Sequence, residues 1–411
     1  LSVEAGEYTV FSRAFKSYNN EIMPGIVNAS GNKITVTTHI QRLQLLDVEE
    51  VEQSVKFFID VRLSWTDPTI RWDPALDTQK TSSIKVPEDT VWSPDITIFS
   101  AVSKTFPIPS SRRVVRVNSD GAVVKSTAQI IMNPCPLNVN KFPFDSQECL
   151  FRIGPWAYDN SEVALRPFLA PKLNISDEEY FRGNSEWKLV SIEVEAYADD
   201  SYGKGQVYDE VHYTIKLKRA WPHYFWVLIL PTFICATLCI FGLFMPSESS
   251  GYRFEKVSLG VMTLVSMSMV LETFSATMPK SSTLPLLGIY VLAEELVCAC
   301  ATLVTVTLSL LHERATTRRW MVPKGLAKML LWHSYDTHIR TRATSIQPMK
   351  GSSSSLSPHL SRISSHLREL ESDDALAAQW MRIFDRLDII GMTIFQVINI
   401  IINLAILVGR S

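Results

Sequence analysis

From Cys135 to Cys149 the chain reads Cys-Pro-Leu-Asn-Val-Asn-Lys-Phe-Pro-Phe-Asp-Ser-Gln-Glu-Cys. The two cysteines can close a loop of thirteen residues, and a disulfide of this kind needs an oxidising compartment. Long apolar segments follow later in the chain, and these need a bilayer. The order of the two features places the loop on an extracellular domain, just before the chain enters a membrane. The Phe-Pro-Phe-Asp turn of residues 142–145 is therefore suited to touching a membrane domain rather than to chemistry.

The composition agrees with an extracellular part followed by a membrane part. Net charge is -2 and the hydrophobic fraction is 46%, concentrated after residue 220, so no basic bias points to nucleic acid. Four of the six cysteines lie in apolar runs, where we expect small buried hydrophobes. These four are Cys235, Cys239, Cys298 and Cys300. Only Cys135 and Cys149 remain to pair.

Residues 1–219 carry many short runs in which apolar and polar residues alternate, for example residues 55–63 and 212–217. Turn residues separate these runs, as at residues 118–121. Such spacing predicts an immunoglobulin-like, antiparallel all-β sandwich. Two glycosylation sequons, at Asn28 and Asn174, both fall in this half of the chain and agree with an extracellular position.

Four apolar segments then follow, each near the length that crosses ~30 Å of hydrocarbon. They are residues 221–245, 256–278, 284–311 and 388–409. We expect a four-helix transmembrane bundle with both termini outside the plasma membrane. The predicted domains are an extracellular sandwich at 1–219, three transmembrane helices within 220–312, a cytoplasmic linker at 313–386 and the fourth transmembrane helix within 387–411.

The linker is the only long polar insert between crossings. It carries twelve Lys and Arg against seven Asp and Glu, so the positive-inside rule places it in the cytoplasm, although topology alone could account for the bias. Residues 321–333 and 362–386 have helical spacing. We expect the first of these helices to lie along the membrane surface.

The second crossing is more polar than its neighbours. Steps of four and three residues define one helical stripe, which comprises Glu255, Ser258, Met262, Val265, Met269, Glu272 and Ala276. Carboxylates inside a membrane usually face a wet cavity or a partner. One helix cannot enclose water, so helices from several subunits would surround an axis, where each carboxylate forms a ring that attracts cations and Val265 forms an apolar collar. The alternative is a buried polar helix held by interhelical hydrogen bonds.

These motifs together resemble the Cys-loop, or pentameric ligand-gated, receptor family. Besides the disulfide loop, the chain carries in the right order the segments 65–67, 71–74, 92–95, 156–158, 255–260, 278–279 and 380–386. The pore segment is similar to that of the cation-selective, nicotinic-like branch. The resemblance covers nearly the whole chain. It implies a homopentamer around a central pore, with five agonist sites between extracellular domains.

The resemblance also bears on ion selectivity. Anion-selective members carry a Pro-Ala pair at the inner end of the pore helix, where this chain has Phe254 and Glu255. Cation selectivity is therefore expected. The preceding linker, residues 246–255, is longer than usual for the nicotinic branch. Most cationic relatives have an apolar residue in place of Glu272, which is either a second anionic ring or a carboxyl kept protonated among like charges.

The family binds cationic amines in an aromatic box, because an ammonium is attracted to the faces of Trp and Tyr. The positions carried over to this chain are Phe99, Trp156, Tyr202 and Tyr208 on the principal face, with Asp60 and Arg62 on the complementary wall. Trp156 could instead belong to the sandwich core. The loop at 196–209 lacks the adjacent cysteine pair of nicotinic α-type subunits. Asp60 stands where the family usually has a tryptophan, so it either pairs with an ammonium or is simply solvated.

The family also converts binding into pore opening through a junction of charged and aromatic residues. In this chain the junction would comprise Glu49, Glu50, Phe144, Asp145, Arg219 and Lys280. Opposite charges are available there, and their pairing is left open by the sequence.

The leading prediction is a ligand-gated cation channel that needs no cofactor or metal. Its expected partners are a small agonist of the cationic amine class, permeant cations, membrane lipid and further copies of the chain, but not nucleic acid. The alternatives are a proton-gated or anion-selective channel of the same architecture, and an orphan or adhesion receptor without a conducting pore. The sequence shows no nucleophile elbow, metal-spaced His and Cys cluster or phosphate loop, which argues against an enzyme.

Overall fold

The computed structural model describes residues 6–24, 33–76, 80–168, 181–201, 203, 205–245, 252–279, 283–323, 325 and 357–409. The chain forms two compact units. The first consists of Leu1–Trp221 with Thr277–Thr283, and the second of Pro222–Ala276 with Leu284–Ser411.

The first unit opens with helix α1 (Gly6–Ala14) and continues as short strands. Strands β1 to β12 are, in chain order, Ile34–Glu49, Ser54–Thr66, Ser83–Pro87, Ile96–Ile98, Ser103–Thr105, Val114–Asn118, Ala122–Pro134, Ser146–Pro155, Val163–Pro167, Phe181–Arg182, Trp187–Asp199 and Tyr208–Arg219. An eight-stranded sheet has the order β10-β1-β2-β7-β6-β3, with β9 also paired to β1 and β5 to β7. The second sheet has the order β11-β12-β8-β4. The predicted β-sandwich is confirmed.

The alternation seen in the sequence places one face of each strand in the core. In β2 the inward residues are buried, and they are Phe57, Ile59, Val61, Leu63 and Trp65. The Phe57 ring meets Phe151 of β8 edge to face, with 5.2 Å between ring centroids. Each such side chain contributes about 1.5–3 kcal/mol by leaving water, so the pattern accounts for how the two sheets hold together.

The predicted antiparallel arrangement is wrong at the outer edge of β1. Residues 34–38 of β1 pair in parallel with β9, and Leu43 and Gln44 pair in parallel with β10. Parallel neighbours require a crossover connection instead of a hairpin, and the chain reaches β9 only after passing through β8 of the other sheet. Two register shifts in the β1–β2 ladder, after Ile40 and Leu45, also reset the alternation within β1.

Within the described residues, the second unit contains four helices that are long and apolar enough to cross a membrane. Helices α2 to α5 are Pro222–Phe244, Tyr252–Thr277, Leu286–Thr317 and Ser357–Val408. Helix α2 contains a π-helical segment at Phe225–Ile229. The four predicted crossings are therefore confirmed as helices, and the helix expected at 362–386 is continuous with the last crossing. Of the helix expected at 321–333, residues 324 and 326–333 lie outside the described part of the chain.

The apolar core of this unit joins all four helices. Buried Cys239 and Leu243 of α2 pack with Met267 of α3 and Cys298 of α4, and Phe395 of α5 adds to the cluster. Small residues permit close helix packing. A Cβ atom on Gly260 of α3 would lie 2.5 Å from the Thr302 hydroxyl oxygen, and one on Gly391 of α5 would lie 2.6 Å from the Phe244 ring.

Candidate functional site

The end of β12 carries a fully buried guanidinium. Arg219 Nε donates to Asp145 Oδ1 at 2.9 Å, and Nη1 donates to Glu50 Oε1 at 3.0 Å and also to Glu186 Oε1. The guanidinium lies between two rings, 4.0 Å from the centre of Trp187 and 4.6 Å from that of Phe142. Three carboxylates and two aromatic faces thus compensate the desolvation of one buried cation.

This Arg219 cluster gives the charge pairing that the sequence left open. Glu50 and Asp145 both bond Arg219, whereas Glu49 is exposed on β1, next to the β1–β2 turn. Burial raises the pKa of Glu50, although its hydrogen bond to Arg219 opposes that shift. Lys280 lies outside the described residues.

The disulfide loop is held by its own side chains. Cys135 and Cys149 are bonded, as predicted. Gln147 donates to Asp145 Oδ2 at 2.6 Å and to the Asn138 carbonyl at 2.9 Å, which fixes the acid that meets Arg219. Phe144 is half-buried and lies 5.7 Å from the Trp221 ring. The loop therefore presents a preorganised carboxylate and an aromatic side chain at one end of the first unit.

The aromatic residues taken from the sequence separate into core and surface. Trp65, Trp92 and Tyr158 form a chain of edge-to-face contacts, with centroid distances of 6.3 and 6.0 Å. Trp156 is instead 72% exposed, and its ring lies 5.8 Å from that of Phe99. Trp156 is therefore not a core residue, and its face is accessible to a ligand.

A buried acid lies behind Phe99. A Cβ atom built on Gly154 would be 2.5 Å from the Phe99 ring and 3.3 Å from Glu210 Cγ, so only glycine allows this packing. The Glu210 carboxylate is bonded to His212 at 2.8 Å, and the imidazole stacks on Tyr197. The sequence analysis did not identify this acid and its histidine, which are separated by one residue on β12.

The remaining predicted agonist residues do not converge within one chain. Tyr208 pairs across the β11–β12 ladder with Asp199, and Tyr202 lies outside the described residues. Asp60 and Arg62 point outward from β2 in the eight-stranded sheet, where Ser126 donates to Asp60 Oδ1 at 2.7 Å. The chain thus carries two separate groups, an aromatic one directly after β4 and β8 and a charged one on β2.

Helix α3 has one buried face and one exposed face. Gly260, Met267 and Phe274, seven residues apart, are buried against the rest of the unit. The predicted stripe lies on the opposite side: Glu255, Met262, Val265, Met269, Glu272 and Ala276 are exposed and Ser258 is half-buried. The hydroxyls of Thr263, Ser266 and Thr273 bond backbone carbonyls of their own helix. The buried polar helix that was the alternative does not describe this stripe within one chain.

A further membrane carboxylate lies outside the predicted stripe. Glu294 of α4 is fully buried and accepts a hydrogen bond from Asn403 of α5 at 2.7 Å. The Asn399 side chain turns its amide nitrogen toward the same acid and donates to Glu294 Oε1 at 3.2 Å. Two adjacent glutamates in one apolar segment and two asparagines four residues apart in another were the available signal. The two sequons, Asn28 and Asn174, lie outside the described residues.

The β-sandwich, the disulfide loop and the four apolar helices define a membrane receptor of the Cys-loop class. The neurotransmitter-gated ion-channel ligand binding domain family matches residues 7–221, and the chain belongs to this family and to its nicotinic-like branch. Residues 7–221 cover the whole sandwich, including the Arg219 cluster and the aromatic group.

Several nicotinic receptor subunits are similar to this chain. Neuronal acetylcholine receptor subunit alpha-6 of Mus musculus is 29% identical over 79% of this chain and 63% of its own length. Subunit alpha-9 of Gallus gallus is 28% identical over 75% of this chain and 61% of its own length. Subunit alpha-10 of Rattus norvegicus is 26% identical over 98% of this chain and 93% of its own length. The first two matches thus span about three fifths of each relative, and the similar proteins are receptor subunits rather than enzymes.

Proposed function

We propose that this chain is the subunit of a pentameric, agonist-gated channel that conducts cations across the plasma membrane. The observation that carries the proposal is the exposed stripe of α3. Two carboxylates that face lipid would destabilise the helix, so this stripe is expected to face water. Five copies around an axis provide one, and rings at Glu255 and Glu272 would favour cations.

The gate in this proposal is the apolar collar at Val265. Val265 is 45% exposed in the single chain and lies between Met262 and Met269, which are 65% and 61% exposed. These three side chains form an apolar band between the two carboxylates. A narrow ring of such side chains expels water, which closes the pore without a covalent or ionic lock.

The agonist site in this proposal is shared by two subunits. Trp156 and Phe99 of one chain supply exposed aromatic faces, with Tyr208 and Tyr202 at the adjacent hairpin. Asp60 and Arg62 of the neighbouring chain supply the opposite wall. A cationic amine fits this combination, because the rings attract the ammonium and Asp60 can pair with it. The similar proteins are acetylcholine receptor subunits, which agrees with this ligand class.

The orientation in this proposal follows from the crossings. The sandwich and both termini lie outside the cell, with glycans on Asn28 and Asn174, and residues 313–386 lie in the cytoplasm. The Arg219 cluster and Phe144 carry the coupling free energy between agonist site and pore, and Glu49 and Lys280 are the further charged residues proposed for this junction. We propose a homopentamer because one chain supplies both walls of the site.

Cysteine accessibility on α3 tests the pore. Val265→Cys and Glu272→Cys should react with a charged thiol reagent in the open channel and block current. Met267→Cys, on the buried face of the same helix, is the matched control and should stay unmodified. Protection at Val265 and Glu272, or equal reaction at all three positions, would refute the pore wall.

Substitution of Trp156 tests the agonist site. Currents are recorded from the expressed chain against amines, amino acids and steps of pH. Trp156→Ala should raise the half-maximal amine concentration by about tenfold or more, while Trp156→Phe keeps an aromatic face and loses less. A response to acid alone that is unchanged in both variants would support proton gating instead. A reversal potential that follows chloride would support an anion channel.

A further inference from the structure

Tyr18, which lies shortly after helix α1, joins three parts of the first unit. Its hydroxyl donates a hydrogen bond to Asp67 Oδ2 at 2.8 Å, and the same oxygen accepts one from the Trp92 backbone amide at 3.0 Å. Asp67 directly follows β2, and Trp92 belongs to the segment that leads into β4. A single hydroxyl therefore connects the N-terminal segment to the chain after β2 and to the chain before β4.

The acid that Tyr18 bonds is held firmly in place. Asp67 is fully buried, and its Oδ1 accepts from the Thr69 backbone amide at 2.8 Å and from the Thr69 hydroxyl. The Asp67 backbone amide donates to the Gly121 carbonyl at 2.8 Å. Burial raises the pKa of Tyr18, so its hydroxyl keeps the proton that it donates to this carboxylate. The contact between Tyr18 and Asp67 is thus a fixed anchor for the chain that Tyr18 holds.

The N-terminal segment is itself anchored by aromatic contacts and by a second hydrogen bond. Phe11 of α1 stacks on Phe15 with 4.9 Å between ring centroids, and Phe15 meets Tyr18 edge to face at 5.4 Å. Asn20 donates from its side-chain amide to the Asp89 carbonyl at 2.6 Å. Residues that follow α1 therefore bond the chain before β4 at two points.

The segment from Trp92 to Asp95 in turn holds the residues that follow Trp156. Asp95 Oδ2 accepts a hydrogen bond from the Ala157 backbone amide at 2.5 Å, and the Trp92 ring contacts that of Tyr158 edge to face. Ala157 and Tyr158 come directly after Trp156 in the chain. A shift of this segment therefore moves the backbone that carries the Trp156 ring.

Trp156 depends on this backbone more than a buried ring would. A ring in the core is fixed by close packing on all sides, whereas Trp156 is 72% exposed and has the Phe99 ring beside it at 5.8 Å. Phe99 itself directly follows β4, the strand into which the segment at 92–95 leads. An ammonium is attracted to an aromatic face only within about 6 Å of the ring centre, so the placement of these rings sets the affinity for an amine.

We propose that Tyr18 is a positioning residue for the candidate agonist site. Its hydroxyl holds the chain before β4, Asp95 of that chain holds Ala157, and the Trp156 ring is thereby kept in place for an amine. The inference rests on the proposed function, because it takes Trp156 as part of the agonist site. It adds that agonist affinity depends on the N-terminal segment, which acts on the aromatic rings through the backbone.

Tyr18→Phe tests the proposal, because it removes the hydroxyl and keeps the ring. In currents recorded from the full-length chain, the half-maximal amine concentration should rise by about threefold to tenfold, while the maximal current per surface receptor should stay the same. Tyr8→Phe removes a hydroxyl from an exposed tyrosine of α1 and is the matched control, with no expected change. Asn20→Ala removes the second hydrogen bond at an exposed position and should give a smaller rise, which covers the case that Tyr18→Phe folds poorly.

Hydroxyl-radical footprinting of these variants in lipid nanodiscs reports on the Trp156 ring without an agonist. The oxidation rate of Trp156, measured by mass spectrometry, should rise in Tyr18→Phe and stay unchanged in Tyr8→Phe. An unchanged rate in both Tyr18→Phe and Asn20→Ala would refute the positioning role.

Comparison with Trp156→Ala separates failure of this inference from failure of the proposed function. If Trp156→Ala lowers amine sensitivity and Tyr18→Phe does not, the inference fails and the agonist site stands. If the oxidation rate rises in Tyr18→Phe but neither variant changes amine sensitivity, Tyr18 positions the ring and the proposed agonist site is wrong.

A double-mutant cycle separates action through Trp156 from general destabilisation. Tyr18→Phe should have a smaller effect on the half-maximal amine concentration in the Trp156→Ala background, because no ring is left to be positioned. The same fold change in both backgrounds would show that the Tyr18 hydroxyl acts elsewhere and would overturn the proposal.

Discussion

Two glutamates in membrane helices show how differently one residue type is used. Glu272 of α3 is exposed on the outer face of its helix, whereas Glu294 of α4 is fully buried and bonded to Asn403 of α5. A carboxylate is tolerated in hydrocarbon only with a partner or with water. Glu294 finds its partner inside the chain and ties two helices together. Glu272 turns away from its own chain, which in our proposal means toward a pore made by five.

The residue next to Glu294 is also an acid, and it contacts a different helix. Glu295 is half-buried and accepts a hydrogen bond from Ser268 of α3. A helix turns about 100° per residue, so adjacent glutamates face different neighbours. One acid of the pair holds α4 to α5, and the other holds α4 to α3. The following four substitutions test this division between structural and pore-facing acids.

The largest effect is expected for Glu294→Ala. Removing the carboxylate takes away one buried acceptor of the Asn403 and Asn399 amides, at a cost of roughly 1–3 kcal/mol in the free energy of unfolding. Thermal inactivation of the purified chain and the ratio of surface to total protein should both fall. Leu292→Ala, at a 39% exposed position on the same helix, is the control and should change little. If the Glu294→Ala protein is stable but has altered ion permeability, Glu294 faces the pore and is not a structural acid.

Val265→Ser should have the next largest effect, and on gating instead of stability. A hydroxyl at the collar holds water in the constriction, so the open state becomes more favourable. We expect current without agonist and a half-maximal agonist concentration lowered by about tenfold, equivalent to about 1.4 kcal/mol. The control is Val270→Ser, at a half-buried position on a different face of the same helix. Reduced expression with normal gating would show that Val265 packs against a neighbouring helix.

Glu255→Ala should change selectivity more than gating. Loss of five carboxylates at the inner mouth of the pore weakens the attraction for cations, so conductance and the cation-to-anion permeability ratio should both fall. Reversal potentials under dilution of external salt measure this ratio. Glu255→Asp keeps the charge and should keep the selectivity. An unchanged reversal potential in Glu255→Ala would remove this ring from the filter.

Glu272→Gln is expected to give the smallest change. It keeps the size of the side chain and leaves the apolar collar intact, so the agonist response should stay the same. Single-channel conductance should decrease, because the ring then carries no negative charge to attract cations. If Glu272→Gln instead destabilises the protein as Glu294→Ala is expected to, the contrast between the two acids fails.

The sequence predicts the crossings well because a bilayer imposes length and hydropathy on each segment directly. The alternation in residues 55–63 predicts β2 for a similar reason, since the strand period decides which side chains leave water. The parallel pairing of β1 with β9 and β10 was not predicted. Strand direction depends on which distant segments become neighbours, and no local pattern of β1 carries that information.

The candidate sites also differ in whether a local sequence pattern or a contact between distant segments forms them. The disulfide and the α3 stripe follow from spacing within one segment. The third acid on Arg219, Glu186, lies 33 residues away along the chain and has no periodic signal. Glu294 shows the same limit, because the presence of an acid in an apolar segment does not tell whether it faces a pore or an asparagine on another helix.

The parallel edge of β1 has a consequence for biosynthesis. Strands β1, β2 and β7 can pair as soon as they leave the ribosome, and Cys135 and Cys149 can meet soon afterwards. The outer edge of β1 has to wait for β9 and β10, which emerge later than every other strand of that sheet. The first strand to be made is thus among the last to be fully paired. Until then the nascent domain exposes an open strand edge, the kind of surface that chaperones recognise and that other nascent chains can join.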